Sequence, residues 1–182
     1  MVWQGGENEK DLRSFIKLCQ KHGLFVVPRL GPWSHGEARN GGTPDWILQK
    51  KYLKDRSSDV VYQNYVKRYF AQIANQLKGL YYKDGGNIIG IQLENEYWYG
   101  KEGEPHIQWL KDTALENGID VNSLYMTVGG KPILPVMGEL HFSRIRKDLW
   151  EDRILKMKAC GINIISTYLF WNHHEKIRSP LS

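Results

Sequence analysis

Three segments of the chain repeat one plan, an amphipathic helix followed by a glycine and a short apolar run: LRSFIKLCQKHGLFVVPRL (12–30), IQWLKDTALENGIDV (107–121) and WEDRILKMKACGINIISTYLF (150–170). In the first, Leu12, Phe15, Ile16 and Cys19 follow the i, i+3, i+4, i+7 spacing of one helix face. Gly23 stands where the helix end needs a positive φ, and residues 24–27 read as a buried strand. In the third, Trp150, Ile154, Leu155 and Met157 supply the face, Gly161 ends the helix, and residues 162–170 are too apolar for a half-exposed strand. In the second, Pro105 suits a first helical turn and Gly118 the cap.

A further helix over residues 58–80 carries Val66, Phe70, Ile73, Leu77 and Leu80 on one stripe and leads through KDGG into a strand at 88–93. Another strand is expected at 133–140. Helices alternating with apolar strands imply βα units and a parallel sheet covered by helices, so the fold class is α/β. In such sheets chemistry collects beyond the carboxyl ends of the strands. Those ends carry carboxylates, histidines and aromatic rings: Arg29 and GPWSHGE, ENEYW at 94–98, GELHFSR at 138–144, and TYLFWNHHE at 167–175.

Glu94, Asn95 and Glu96 sit together at the end of one apolar run. Carboxylates there either face water or cap a helix, or one of them, kept protonated by its surroundings, gives a proton to a leaving oxygen while Asn95 binds a substrate hydroxyl. The segment 29–46 holds Glu37 between Trp33 and Trp46 in sequence, punctuated by four glycines and two prolines. It is either an irregular turn or a rigid binding loop. Flat indole and phenol rings are also what a site uses to stack on the apolar face of a sugar.

Other chemistries find no pattern. His173 and His174 are adjacent, so an extended chain points them apart, and HExxH spacing is absent; no metal and no cofactor is expected. Net charge is +5, but the 25 basic residues are dispersed among 20 acidic ones, which speaks against nucleic acid. With 41% apolar residues the chain can build one substantial core, and no apolar run is long enough for a membrane span. Met1 is followed by polar sequence, so no export signal is expected in these residues and localisation stays open. Cys19 and Cys160 read as reduced core residues.

The motifs together resemble the family 35 glycoside hydrolases, the β-galactosidase family built on a TIM (β/α)8 barrel. GELHFSRIRKDLWEDRILKMKACGINIISTYLFWNHHE is similar to that family's first strand, first helix and second strand. DLRSFIKLCQKHGLFVVPRLGPWSHGEARNGGTPDWI resembles its second helix, third strand and following loop, and GGNIIGIQLENEYW its fourth strand. Residues 1–121 thus resemble barrel helix 2 to helix 4, and residues 122–182 resemble strand 1 to strand 2, together about half a barrel. The order is rearranged, as in a circularly permuted or reassembled chain, with the cut after the second strand and the junction near 121–128. NSLYMTV (122–128) resembles either a fifth strand or a lead-in to the first.

The resemblance implies hydrolysis of terminal β-D-galactosyl residues with retention, Glu96 as general acid/base, Asn95 at the sugar 2-hydroxyl and Glu94 as a supporting residue. It implies that Tyr168 and Glu37 touch sugar hydroxyls, that Trp33 walls the pocket, and that His141, Asn172 and Glu175 stand in second rank. Trp33, Ser34, His35 and Gly36 depart from the family's usual Gly-Pro-Tyr and small pair, which bears on galactose specificity. The family nucleophile lies on a seventh strand that no segment here matches, so the chain alone could be inactive. Two other readings remain: a non-catalytic carbohydrate-binding half barrel, and another retaining barrel glycosidase of mannanase or cellulase type. A half barrel also implies self-association or a complementary barrel fragment, since its sheet edges are unpaired.

Overall fold

The computed structural model describes residues 10–97, 100–120, 127–128, 131–132 and 135–175. Its centre is a parallel sheet of four strands: β1 (Phe25–Gly31), β2 (Gln92–Leu93), β5 (Met137–Glu139) and β6 (Ile164–Tyr168), in the spatial order β2-β1-β6-β5. The third and fourth strands of the resemblance, β1 and β2, therefore come first in the chain yet lie beside the second and first, β6 and β5. Spatial neighbourhood follows the family order although chain order does not. A separate antiparallel pair, β3 (Thr127–Val128) with β4 (Lys131–Pro132), lies outside this sheet, so the described part of NSLYMTV adds no fifth parallel strand.

Helices α1 (Leu12–Lys21), α3 (Val60–Leu77), α4 (Gly100–Glu116) and α5 (Trp150–Ala159) cover the sheet, and two short turns, α2 (Asp45–Leu48) and α6 (Trp171–His174), follow β1 and β6. The spacing on α1 does what it predicts: Leu12, Phe15, Ile16 and Cys19 are buried, Asp11 caps the start by accepting from the Ser14 amide, and Gly23 closes the end at φ 70°. Gly118 and Gly161 close α4 and α5 at φ 76° and 84° in the same way. Along α3, Val66, Phe70, Ile73 and Leu77 meet the α1 side chains in one apolar core that also takes Trp150 and Ile154 of α5. Phe15 links these layers, stacking on Phe142 and meeting Trp150 edge-on.

Several expectations are corrected. Leu155 is 47% exposed, because α5 packs through Trp150, Ile154 and Met157 and turns Leu155 away from the core. Cys160 is exposed at the end of α5, while Cys19 is buried and burial pushes its thiol pKa up to about 12. Pro105 lies inside α4, which begins at Gly100. The strand expected over 88–93 pairs as a strand only at Gln92 and Leu93, with a shift in register against β1, and through isolated bridges at Ile88; the one expected over 133–140 is confined in its described part to Met137–Glu139.

Strand register decides what the sheet offers beyond its carboxyl ends. Arg29 is opposite Tyr168 on one side and Gln92 on the other, while Glu139 is opposite Ser166. Parallel partners project to the same face. Met137, Phe25, Val27, Glu139, Arg29 and Tyr168 therefore share the face away from α1 and α5. Among the described residues β2 and β5 are the sheet's two edges.

Candidate functional site

Arg29 organises the strand ends. One guanidinium nitrogen donates to Glu139 Oε1 at 2.5 Å and another to Asn95 Oδ1 at 2.5 Å, while the group lies 4.0 Å above the Tyr168 ring. One cation thereby ties β1, β2, β5 and β6 together. Gln92 Nε2 also donates to Asn95 Oδ1, at 3.1 Å. Since guanidinium and amide N–H groups only donate, the Asn95 oxygen is fully committed and its orientation is fixed. What Asn95 retains for a ligand is its NH2, a donor.

Tyr168 is buried against this cation, with His141 at 4.7 Å and His35 at 5.0 Å from its ring and Phe170 stacked at 5.7 Å. Burial raises its phenol pKa, Arg29 works against that rise, and the charges of Glu139 and Glu96 add to it, which puts Glu96 within electrostatic reach of Tyr168. The His141 pKa is lowered by partial burial, with Arg144, His35 and Arg29 adding to the effect and Glu139 opposing it. His35 Nδ1 accepts from the Glu37 amide at 3.0 Å, so a neutral His35 carries its proton on Nε2 and offers a second donor.

Glu96 itself is exposed, one residue beyond the buried Asn95. The backbone there is unusual: Glu94 has φ 56° and Glu96 φ 48°, both in the left-handed region that side chains with a Cβ rarely adopt. Such conformations persist only where surrounding contacts over-determine them. Those contacts come from Arg56, in the loop between α2 and α3. It donates through Nε and Nη2 to Glu94 Oε2 at 3.2 and 2.9 Å, and through Nη2 to the Asn95 carbonyl at 2.8 Å. Its guanidinium lies 4.1 Å from the Trp33 ring and 5.3 Å from that of Tyr97, whose hydroxyl donates back to the Arg56 carbonyl at 3.0 Å.

Trp33 reaches this position because residue 41 is glycine. A Cβ at Gly41, which has φ 61°, would sit 1.8 Å from the indole nitrogen. The loop is pinned further by Ser34 Oγ donating to the Leu169 carbonyl at 2.7 Å.

The sequence-expected residues divide into three groups. Asn95, Tyr168 and His141 gather around Arg29, Glu96 follows Asn95 in the chain, and exposed Glu37 stands beside His35. Glu94 and Trp33 surround Arg56, with the Glu94 carboxylate turned inward at 3% exposure. Glu175 and Asn172 lie elsewhere: Glu175, 2% exposed, accepts from Arg68 and from the Trp171 indole, and Asn172 donates to the Arg39 carbonyl. Trp46 also turns to the core, edge-on to Tyr65 and Trp171, rather than toward Glu37. Sequence reasoning missed Arg56, Glu139 and His35 as site residues and the buried His106, whose Nε2 stands 3.8 Å from Glu94 Oε1. Only Glu139 had a readable signal, since period-two alternation puts it on the face of Met137.

No group of histidines, cysteines or carboxylates suited to a metal ion occurs among the described residues, and none of their helices is long and apolar enough to cross a membrane. The arrangement offers a carboxyl group, amide and imidazole donors and flat rings at the carboxyl ends of the strands. These are groups for a polyhydroxylated ligand.

The model of the family described as glycosyl hydrolases family 35 matches the chain in two segments, residues 4–129 and 125–180. Beta-galactosidase 7 of Oryza sativa subsp. japonica is 33% identical over 191 residues, covering 96% of this chain and 25% of the relative. Beta-galactosidase 17 of Arabidopsis thaliana is 37% identical over 121 residues, covering 66% and 17%. Beta-galactosidase of Mus musculus is 40% identical over 89 residues, covering 49% and 14%. The chain thus spans a quarter or less of the length of these curated relatives.

Proposed function

Because the chain belongs to glycosyl hydrolase family 35, we propose that it supplies the acid/base half of a retaining glycosidase site for terminal β-galactosyl residues. The observation that carries this reading is the commitment of Asn95 Oδ1 to Arg29 and Gln92, which leaves its NH2 as the group it can offer a ligand, one residue before Glu96. Asn95 then donates to the 2-hydroxyl, a hydrogen bond that strengthens as charge develops at the anomeric carbon. Glu96 protonates the leaving oxygen and later deprotonates the attacking water, a role worth about 10²–10⁴-fold in rate. Tyr168, His141, His35 and Glu37 contact the other hydroxyls, and Trp33 backs the pocket.

A retaining site needs a second carboxylate about 5–5.5 Å from the first. Glu139 is the other carboxylate brought to the Arg29 cluster, and it is tied to that guanidinium at 2.5 Å. This favours a second reading for the isolated chain, in which it binds a galactoside without cleaving it. Cleavage would then require a nucleophile from a complementary barrel fragment, whereas a second copy paired along the edges of β2 and β5 would extend the sheet without adding one.

Release of nitrophenol from nitrophenyl β-galactoside by the wild type and Glu96→Gln separates the readings. Hydrolysis by the wild type, with a loss of at least about 100-fold in the variant, is expected of the enzyme. Equal release would remove Glu96 as the acid/base, and none from either leaves binding alone. Light scattering addresses pairing: a monodisperse monomer would refute self-association.

A further inference from the structure

Arg56 is drawn into the site by an unusual set of contacts. It lies on the loop between α2 and α3, far from residue 94 in sequence, and it too has positive φ, at 49°. Its side chain holds the Glu94 carboxylate, the Asn95 carbonyl and the faces of Trp33 and Tyr97. Its own carbonyl receives the Tyr97 hydroxyl. The Asn95 carbonyl belongs to the peptide bond that carries the Glu96 nitrogen. Arg56 therefore grips the chain immediately before Glu96 with its side chain and immediately after it through Tyr97.

We propose that Arg56, held in place by buried Glu94, is the positioning residue for Glu96. It fixes the Asn95–Glu96 peptide and keeps residues 94 and 96 in the left-handed conformation that projects Glu96 out over the sheet while Glu94 turns in. The inference rests on Glu96 being the acid/base. A guanidinium suits the task better than an ammonium, because its planar fork serves the carboxylate and the carbonyl at once while staying close to two rings.

The rest of the cluster fits this division. Glu94 Oε2 also accepts from the Asn95 amide, at 3.3 Å, and the Glu94 amide donates to the Gly31 carbonyl at 2.8 Å. Oε1 of Glu94 makes no hydrogen bond among the described residues. The carboxylate therefore serves Arg56 and the turn, buried with Oε1 beside His106. Displacing an acid/base by about 1 Å can cost about 100-fold in rate, so a dedicated clasp on a strained turn has a function to protect.

Hydrogen exchange of the full chain tests the clasp without requiring turnover. In Arg56→Met, exchange at the amides of 94–97 should rise by at least about tenfold, while the amides of α1 and β6 stay within about twofold of wild type. Arg56→Lys, the milder variant should Arg56→Met fold poorly, keeps the charge without the fork and should raise the same amides by a smaller factor. Unchanged exchange at 94–97, or a rise spread evenly over the fold, would overturn the proposal. Binding of a galacto-configured imino sugar supplies the second arm: Arg56→Met should weaken it about as much as Glu96→Gln does. If the wild type binds no imino sugar but the exchange pattern holds, the clasp stands and the galactoside reading falls.

Discussion

Two buried glutamates in this chain are each paired with an arginine, and they do opposite things with the pairing. Glu175 is 2% exposed and satisfied on both oxygens, by Arg68 from α3 and by the Trp171 indole. Its neighbours are stacked rings: Trp171 lies 4.6 Å from Tyr69, and Trp46 meets Trp171 edge-on. Glu94 is 3% exposed, pairs with Arg56 through one oxygen, and sits at positive φ at the end of a two-residue edge strand. The first pair closes the join between β6, α6 and α3. The second holds a strained turn in one shape. A buried ion pair is weak evidence for stability by itself, and the backbone around it shows which task it serves.

The largest effect should come from the structural pair. Arg68→Met leaves the Glu175 carboxylate buried without its cation and should cost about 3–5 kcal/mol by urea denaturation. The double variant Arg68→Met/Glu175→Gln, which keeps an acceptor for the Trp171 indole, should recover part of that loss. Arg56→Met should cost less, about 1–3 kcal/mol, because an edge-strand tip can open and hydrate Glu94. Equal losses for Arg56→Met and Arg68→Met would break the comparison.

Gly41→Ala probes the site side of the contrast without touching either pair. The added Cβ would collide with the Trp33 indole at a positive-φ position and should displace Trp33 from Arg56 at a cost of about 1–3 kcal/mol. Tryptophan fluorescence should shift while exchange around Glu175 stays unchanged. A smaller effect concerns pH. The His141 pKa is lowered below its ordinary 6.5, so the unfolded chain takes up the proton first as pH falls. That contribution is complete above about pH 6.5 and shrinks as pH drops toward the folded value. His141→Gln should flatten the dependence of stability on pH between about 7.5 and 5.5, and an identical slope in both proteins would contradict the assignment.

Much of the fold is legible in the sequence because it is written in local periodicity. The α1 face, the α3 stripe and the capping glycines each involve residues within a few turns of one another. Strand lengths are less legible: β2 ends at Leu93 as expected, but the apolar residues before it pair only through isolated bridges at Ile88. At the site, Asn95 and Glu96 stand out by residue type at a strand end. Arg56 does not, because in sequence it is one cation in a polar loop, and its contact with Glu94 spans 38 positions. Arg68 is hidden in the same way: it occupies the polar side of a helix and meets Glu175 across 107 positions. Cys160 misled because its apolar neighbours belong to the strand that follows, while the cysteine itself lies at the exposed helix end.

The central claim is that the left-handed turn at 94–96 presents Glu96 and the Asn95 amide to a galactoside. Calorimetric titration of wild type, Glu96→Gln and Asn95→Ala with a galacto-configured imino sugar tests it most directly. The account predicts binding by the wild type and a loss of at least about tenfold, about 1.4 kcal/mol, in each variant. Equal affinity in all three proteins would contradict it.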